Sequence, residues 1–253
     1  MFVITFKTFL IICPLVFLAG FVDSIGGGGG LISLPAYMLA GLPTHMAIAT
    51  NKLSSAAGTT VTTARFIKNK LIDYKFAFSA VIAAFCGSFC GSKLSLLADE
   101  KILKVVLIPV LCVAMFFVLS KKLFGNREED WEINTRTHII AAIASLLIGF
   151  YDGFYGPGTG TFLIIAFNVF AKLDIQKANA NAKAVNLVTN ITSLVVFIVG
   201  GQVLWAVGIA GMACNMAGNF VGSSLALKNA EKITRPIIIV VLILLFIKVI
   251  AGF

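Results

Sequence analysis

Apolar residues in this chain gather into blocks instead of recurring at amphipathic spacing: residues 9–22, 31–42, 76–89, 105–119, 139–151, 162–170, 194–199, 204–221 and 237–253. Several reach or approach the roughly 20 residues that cross a bilayer as a helix. Two interruptions stand out among them. Residues 26–30 are five consecutive glycines shortly after Asp23, and Gly156-Pro157-Gly158-Thr159-Gly160 follows Asp152. Glycine costs a helix about 1 kcal/mol relative to alanine, and proline more, so both stretches predict a break. The apolar blocks behind the breaks are short, which predicts half-helices. Unpaired backbone groups cost several kcal/mol each in hydrocarbon, so a break at that depth has to be covered by protein or line a wet cavity. The pattern predicts an all-α fold, a polytopic transmembrane helical bundle with Gly-broken helices. Each break is a candidate site.

The chain also repeats itself. Gly87-Ser88-Phe89-Cys90-Gly91-Ser92-Lys93-Leu94 returns as Gly218-Asn219-Phe220-Val221-Gly222-Ser223-Ser224-Leu225, an offset of 218 − 87 = 131. At that offset Lys52 meets Lys183, Phe66 meets Phe197 and Glu100 meets Glu231. Upstream, Gly20 and Asp23 meet Gly149 and Asp152 at an offset of 129, so the second copy carries two extra residues near its glycine cluster. The repeat divides the chain into a first transmembrane repeat (1–120), a cytoplasmic linker loop rich in mixed charge (121–137) and a second transmembrane repeat (138–253). Gly87 with Gly91 and Gly218 with Gly222 have the spacing that lets membrane helices approach closely. The second copy manages with three glycines, so a run of five looks longer than its site needs.

Loop charges set the relation between the copies. Arg65, Lys68, Lys70 and Lys75 follow the third segment of the first copy, whereas the equivalent loop of the second, residues 200–203, carries no charge. By the positive-inside rule the two loops lie on opposite membrane faces, which makes the repeats inverted in topology. The linker, Lys172, Lys177, Lys228, Lys232 and Arg235 then lie inside, while Lys93, Lys101 and Lys104 fall outside against the rule.

Lys52, Ser55, Thr59 and Thr62 fall at i, i+3, i+7 and i+10, one face of a helix, and Lys183, Asn186, Asn190 and Ser193 repeat it. In so apolar a chain this stripe points either into a wet pathway or into helix–helix hydrogen bonds. The half-helix behind a break offers free N–H groups and the positive end of its dipole, a seat for an anion. Gly27, Gly28 and Gly29 in one copy and Gly156, Gly158 and Gly160 in the other are the backbone candidates. Asn51, Lys52, Ser55, Thr59, Lys183, Asn186 and Asn190 are the side-chain candidates for substrate binding. The lysines have a second reading, snorkelling to the interface from helix ends. Asp23 and Asp152 are candidates for taking up a proton or, with unwound carbonyls, Na⁺; they also read as helix caps.

Composition narrows the classes. The chain is 59% hydrophobic and 12% charged, with mean hydropathy +0.99, about half the charge usual for a soluble domain. The net charge of +9 is accounted for by loop lysines and arginines, so no nucleic-acid partner is expected. Cys13, Cys86, Cys90, Cys112 and Cys214 lie within apolar blocks without zinc-type spacing, which predicts buried free thiols. No metal or cofactor is expected, and no nucleophile–base arrangement suggests an enzyme. Residues 1–22 imitate a signal peptide but carry one early charge, Lys7, and the block recurs later in the chain, so retention is expected.

The run Gly20-Phe21-Val22-Asp23-Ser24-Ile25 and its five glycines, followed by Pro35 and Ala49-Thr50-Asn51-Lys52, resembles the signature of the sulfite exporter TauE/SafE family, the TSUP transporters. Gly149-Phe150-Tyr151-Asp152-Gly153-Phe154-Tyr155-Gly156-Pro157-Gly158-Thr159-Gly160 is similar to that family's second copy. The resemblance implies a multi-pass inner-membrane transporter for sulfite, sulfonates or related sulfur-containing organic anions, usually described with about eight spans. Each repeat offers about five segments, one before the break, a short one after it and three more of which the first carries the polar stripe, and re-entrant post-break pieces reconcile that count with eight. The expected function is secondary transport of a small anion by alternating access, with possible H⁺ or Na⁺ coupling. A passive anion channel and a membrane-embedded structural subunit are the alternatives.

Overall fold

The computed structural model describes residues 4–98 and 134–250. Among the described residues there is no strand. The helices are α1 (Phe6–Gly26), α2 (Gly30–Leu39), α3 (Thr44–Lys68), α4 (Tyr74–Ser95), α5 (Thr135–Phe154), α6 (Thr159–Val169), α7 (Ile175–Val199) and α8 (Trp205–Ile250). By length and apolar composition α1, α4, α5 and α7 suffice to cross a membrane. The two helices behind the glycine breaks have 10 and 11 residues, as half-helices should. The linker expected at 121–137 lies outside the described residues apart from its end, where Asn134 caps α5 by accepting from the Thr137 N–H at 3.1 Å. The apolar block at 105–119 is also outside them. Residues 204–221 and 237–250 join into α8, whose course kinks at Asn229 (φ −143°, ψ 36°).

Side-chain distribution is that of a protein solvated by lipid. Phe78, Leu147 and Val195 point outward with more than half their surface exposed, while lysine, aspartate, asparagine and hydroxyl side chains are buried. Phe76 and Phe167 meet edge to face at 4.9 Å in the apolar core. Cys13 and Cys214 are half-buried and Cys86 and Cys90 exposed, so the thiols are free as expected but two of them lie on the outer face. Cys112 is outside the described residues.

The helices of the two repeats interlock. α1 packs chiefly on α8, and α5 chiefly on α4, so the first helix of each repeat leans on a helix of the other. Gly87 and Gly91 lie against the backbone of Leu146 and Phe150 in α5, and Gly218 and Gly222 against the backbone of Phe17 and Phe21 in α1. The paired glycines permit the close backbone approach their spacing predicts. The central helices α3 and α7 pack on each other. Their polar stripes divide: the far ends serve as glue, Thr62 donating to Asn219 Oδ1 at 2.7 Å and Ser193 pairing with Ser88 at 2.8 Å.

Candidate functional site

Where the two breaks meet, the helices stop for identifiable reasons. α1 ends at Gly27, which adopts the left-handed conformation (φ 79°), its N–H bonding Asp23 O at 2.8 Å. α6 starts from Gly158, also left-handed (φ 85°). The breaks touch directly. A side chain on Gly27 would run into the backbone of Gly160 and Thr161, and one on Gly160 would come within 2.6 Å of Gly27 Cα. Thr161 ties them together, its N–H donating to Gly27 O at 3.2 Å and its hydroxyl to Gly26 O at 2.6 Å. Asn179 of α7 donates to Ser24 O and Ile25 O at 3.2 and 3.1 Å. Tyr151 donates its hydroxyl proton to Pro157 O at 2.7 Å. The carbonyls freed by unwinding are thus covered, as hydrocarbon depth demands.

The glycine run is fully used. Added carbons at Gly26, Gly28 and Gly29 would collide respectively with Ile237, with Val241, and with Ala19 O and Asp23, each at about 2.8 Å or closer. Only at Gly30 is the nearest atom, Pro157 Cα, as far as 3.3 Å. The expectation that five glycines exceed the need fails, because α8 packs on the back of the first break.

Charged side chains cross between the repeats. Lys52 Nζ lies 2.7 Å from Asp152 Oδ2, and Lys183 Nζ 2.8 Å from Asp23 Oδ2. Each repeat thus supplies the lysine for the other's aspartate. Lys52 also donates to Asn190 Oδ1 at 3.2 Å, and Asn190 donates to Asn186 Oδ1 at 3.3 Å. Asp23 Oδ1 accepts the Gly29 N–H at 3.3 Å, so Asp23 serves both as partner of a lysine and as a cap on loosened backbone. Both lysines sit two turns inside α3 and α7 with 2% or less of the side chain exposed. They do not snorkel, because a carboxylate waits for each at that depth.

A cavity of about 20 Å³ lies between the breaks, room for about one water molecule. Of the residues singled out from sequence, Asp23, Gly27, Asn51, Lys52, Ser55, Asp152, Gly156, Gly158, Gly160, Asn186 and Asn190 line it. The remaining four lie outside its walls. Gly28 backs onto α8, Gly29 lies under Asp23, Lys183 stands behind Asp23, and Thr59 is buried with its hydroxyl unpartnered among the described residues. Gly30 and Thr159 line the cavity without having been anticipated. The N–H groups of Leu31, Ile32 and Thr159 turn back onto Gly28, Gly29 and Gly156. Asn179 and Thr161 were also missed. The signal for Asn179 was its place one turn before Lys183 on the same face; for Thr161, nothing short of the fold gives it. Among the described residues no group of three acidic, histidine or cysteine side chains gathers as a metal site.

A lipid-solvated helical bundle enclosing a small charged cavity between two broken helices belongs to the class of membrane transporters. Comparison with known proteins supports that class: the chain is 37% identical over 246 residues to the probable membrane transporter protein YfcA of Escherichia coli K12, covering 94% of this chain and 90% of the relative. A probable membrane transporter protein of Haemophilus influenzae is 33% identical over 225 residues (88% and 87% covered). Probable membrane transporter protein ORF9 of Sinorhizobium is 32% identical over 240 (93% and 90%). The sulfite exporter TauE/SafE model matches residues 12–249, and the chain belongs to that family. No solved structure matches it.

Proposed function

We propose that the protein is a secondary transporter of a small anion, sulfite, a sulfonate or a related sulfur-containing organic anion, working by alternating access of two inverted repeats in the inner membrane. The observation that carries this reading is the crossed pair of buried ion pairs, Lys52 with Asp152 and Lys183 with Asp23, at the meeting of two half-helix N-termini. The Lys52 ammonium and two positive helix ends converge where an anion would sit, with Lys183 behind Asp23. Asp23 and Asp152 are the sites at which H⁺ or Na⁺ would couple. With 1–120 and 138–253 as the repeats and 121–137 as their linker, alternating access would move one repeat against the other. The space between the breaks holds about one water molecule, so an anion of this class would need the site to widen by movement. That argues for a carrier over a standing channel.

The test is uptake of labelled sulfite and methanesulfonate into proteoliposomes. Lys52→Ala combined with Lys183→Ala is expected to abolish uptake; undiminished transport by that double variant would remove the lysines from the site.

A further inference from the structure

The two ion pairs are not equivalent, and their difference assigns the coupling. Lys52 lines the cavity, whereas Lys183 stands behind it. An anion arriving in the cavity therefore meets Lys52 first. Lys52 already has a second partner, Asn190, 3.2 Å away, that holds the ammonium in place if Asp152 lets go. Asp23 is held twice, by Lys183 and by the Gly29 N–H. Asp152 Oδ2 has its ion contact with Lys52 but no well-directed hydrogen bond among the described residues. The weaker-held carboxylate is the one facing the reachable lysine.

Charge conservation does the rest. With both pairs formed, the site is neutral. An anion on Lys52 would leave Asp152 as an uncompensated buried carboxylate beside another negative charge, which such a site does not tolerate without taking up a cation. Every other charged or titratable neighbour is already engaged or neutral. From α3 only Lys52 faces Asp152; from α1, Asp23, bound to Lys183 of α7; from its own segment, the neutral phenols Tyr151 and Tyr155; the described part of α4 facing it presents Gly87, Ser88, Gly91 and Ser92; and α6 contains no titratable side chain. Na⁺ would need several oxygen ligands, and the other carboxylate at the cavity, Asp23, is held by Lys183 and the Gly29 N–H. A proton needs no such ligands. On protonation Asp152 also turns from acceptor into donor and offers its O–H to the anion.

We infer that Asp152 is the proton carrier and Lys52 the anion carrier of a one-proton-per-charge symport, the anion replacing the Asp152 carboxylate on Lys52 while the Asp23–Lys183 pair stays closed. Binding takes one proton from solution onto Asp152 and one monovalent anion onto Lys52; release on the other side returns both, and the site's net charge never changes. This rests on the anion-transport reading above.

Methanesulfonate is the probe, because it stays a monoanion across the working pH range. In binding to the purified full-length protein its affinity should fall about tenfold per pH unit on the alkaline side, the slope of one linked proton. Asp152→Asn should flatten that slope. In wild-type proteoliposomes an imposed pH gradient should accumulate methanesulfonate, with proton co-uptake read by an internal pH dye and no response to a clamped membrane potential; neither measurement needs a variant. A pH-independent wild type, a slope kept in Asp152→Asn, or accumulation driven by a sodium gradient overturns the inference while leaving anion transport standing. Failure of both methanesulfonate and sulfite to bind or move at any pH overturns the anion reading itself.

Discussion

The two glycine breaks occupy corresponding places in the repeats, yet they are held together differently. At the second break the loosened carbonyls find donors in their own segment: Pro157 O accepts from Tyr151, and Gly156 O from the Thr159 hydroxyl at 2.7 Å. At the first, the carbonyls of Ser24, Ile25, Gly26 and Gly27 are served by Asn179 and Thr161, both from the other repeat. The second break is a self-contained corner stiffened by proline; the first is a bare glycine run that borrows its order from its neighbour. When one repeat moves against the other, the borrowed bonds are the ones that have to change. The first run closes Gly28 O and Gly29 O on its own following N–H groups, but for Gly26 O and Gly27 O it depends on Thr161.

The largest effect that would break this comparison is steric. Gly27→Leu places a side chain on a left-handed residue against the backbone of Gly160 and Thr161, so uptake should vanish although the chain still inserts; normal uptake would show that the breaks need not touch. Next come the ion pairs. Removing one member strands a buried charge at a cost of about 3–5 kcal/mol, so Lys52→Ala and Lys183→Ala should each lower the thermal unfolding temperature markedly. Pairing Lys52→Ala with Asp152→Ala should restore part of that stability without restoring uptake. A smaller effect separates the breaks themselves. Thr161→Val removes one hydrogen bond to the first break, about 1 kcal/mol, and should speed amide exchange around residues 26–30. Tyr151→Phe should do the same at 155–158 alone. If Tyr151→Phe loosened the first break equally, the two would not be independently held. Least is expected of Ser55→Ala: its contact with Asn51 Oδ1 is a long 3.5 Å, so stability should shift by no more than about 0.5 kcal/mol.

Much of this was legible in the chain because membrane burial makes sequence blunt: glycine runs break helices, lysines need partners, and a 131-residue echo aligns one site with another. The half-helices, the cavity-lining residues and the glue at Thr62 and Ser193 follow from those rules. Partner choice did not follow. A stripe headed by Lys52 gives its face but not its depth: α3 and α7 start after Pro43 and Asp174, two turns before the lysines, so neither lysine sits at a helix end. That each lysine crosses to the other repeat's aspartate depends on how α1 and α5 lean on the far repeat, a tertiary fact with no local signature. Thr161 and Asn179 escaped notice for the same reason: their acceptors are carbonyls, which every residue has.

Crossed pairing also has a consequence for how the chain is made. Asp23 leaves the ribosome 160 residues ahead of Lys183, and Lys52 likewise precedes Asp152. A lone lysine or aspartate at mid-membrane costs about 2.5–3.5 kcal/mol on insertion scales, so the newborn first repeat carries charges whose permanent partners do not yet exist. Its insertion is provisional until the second repeat arrives, and the finished site is assembled last.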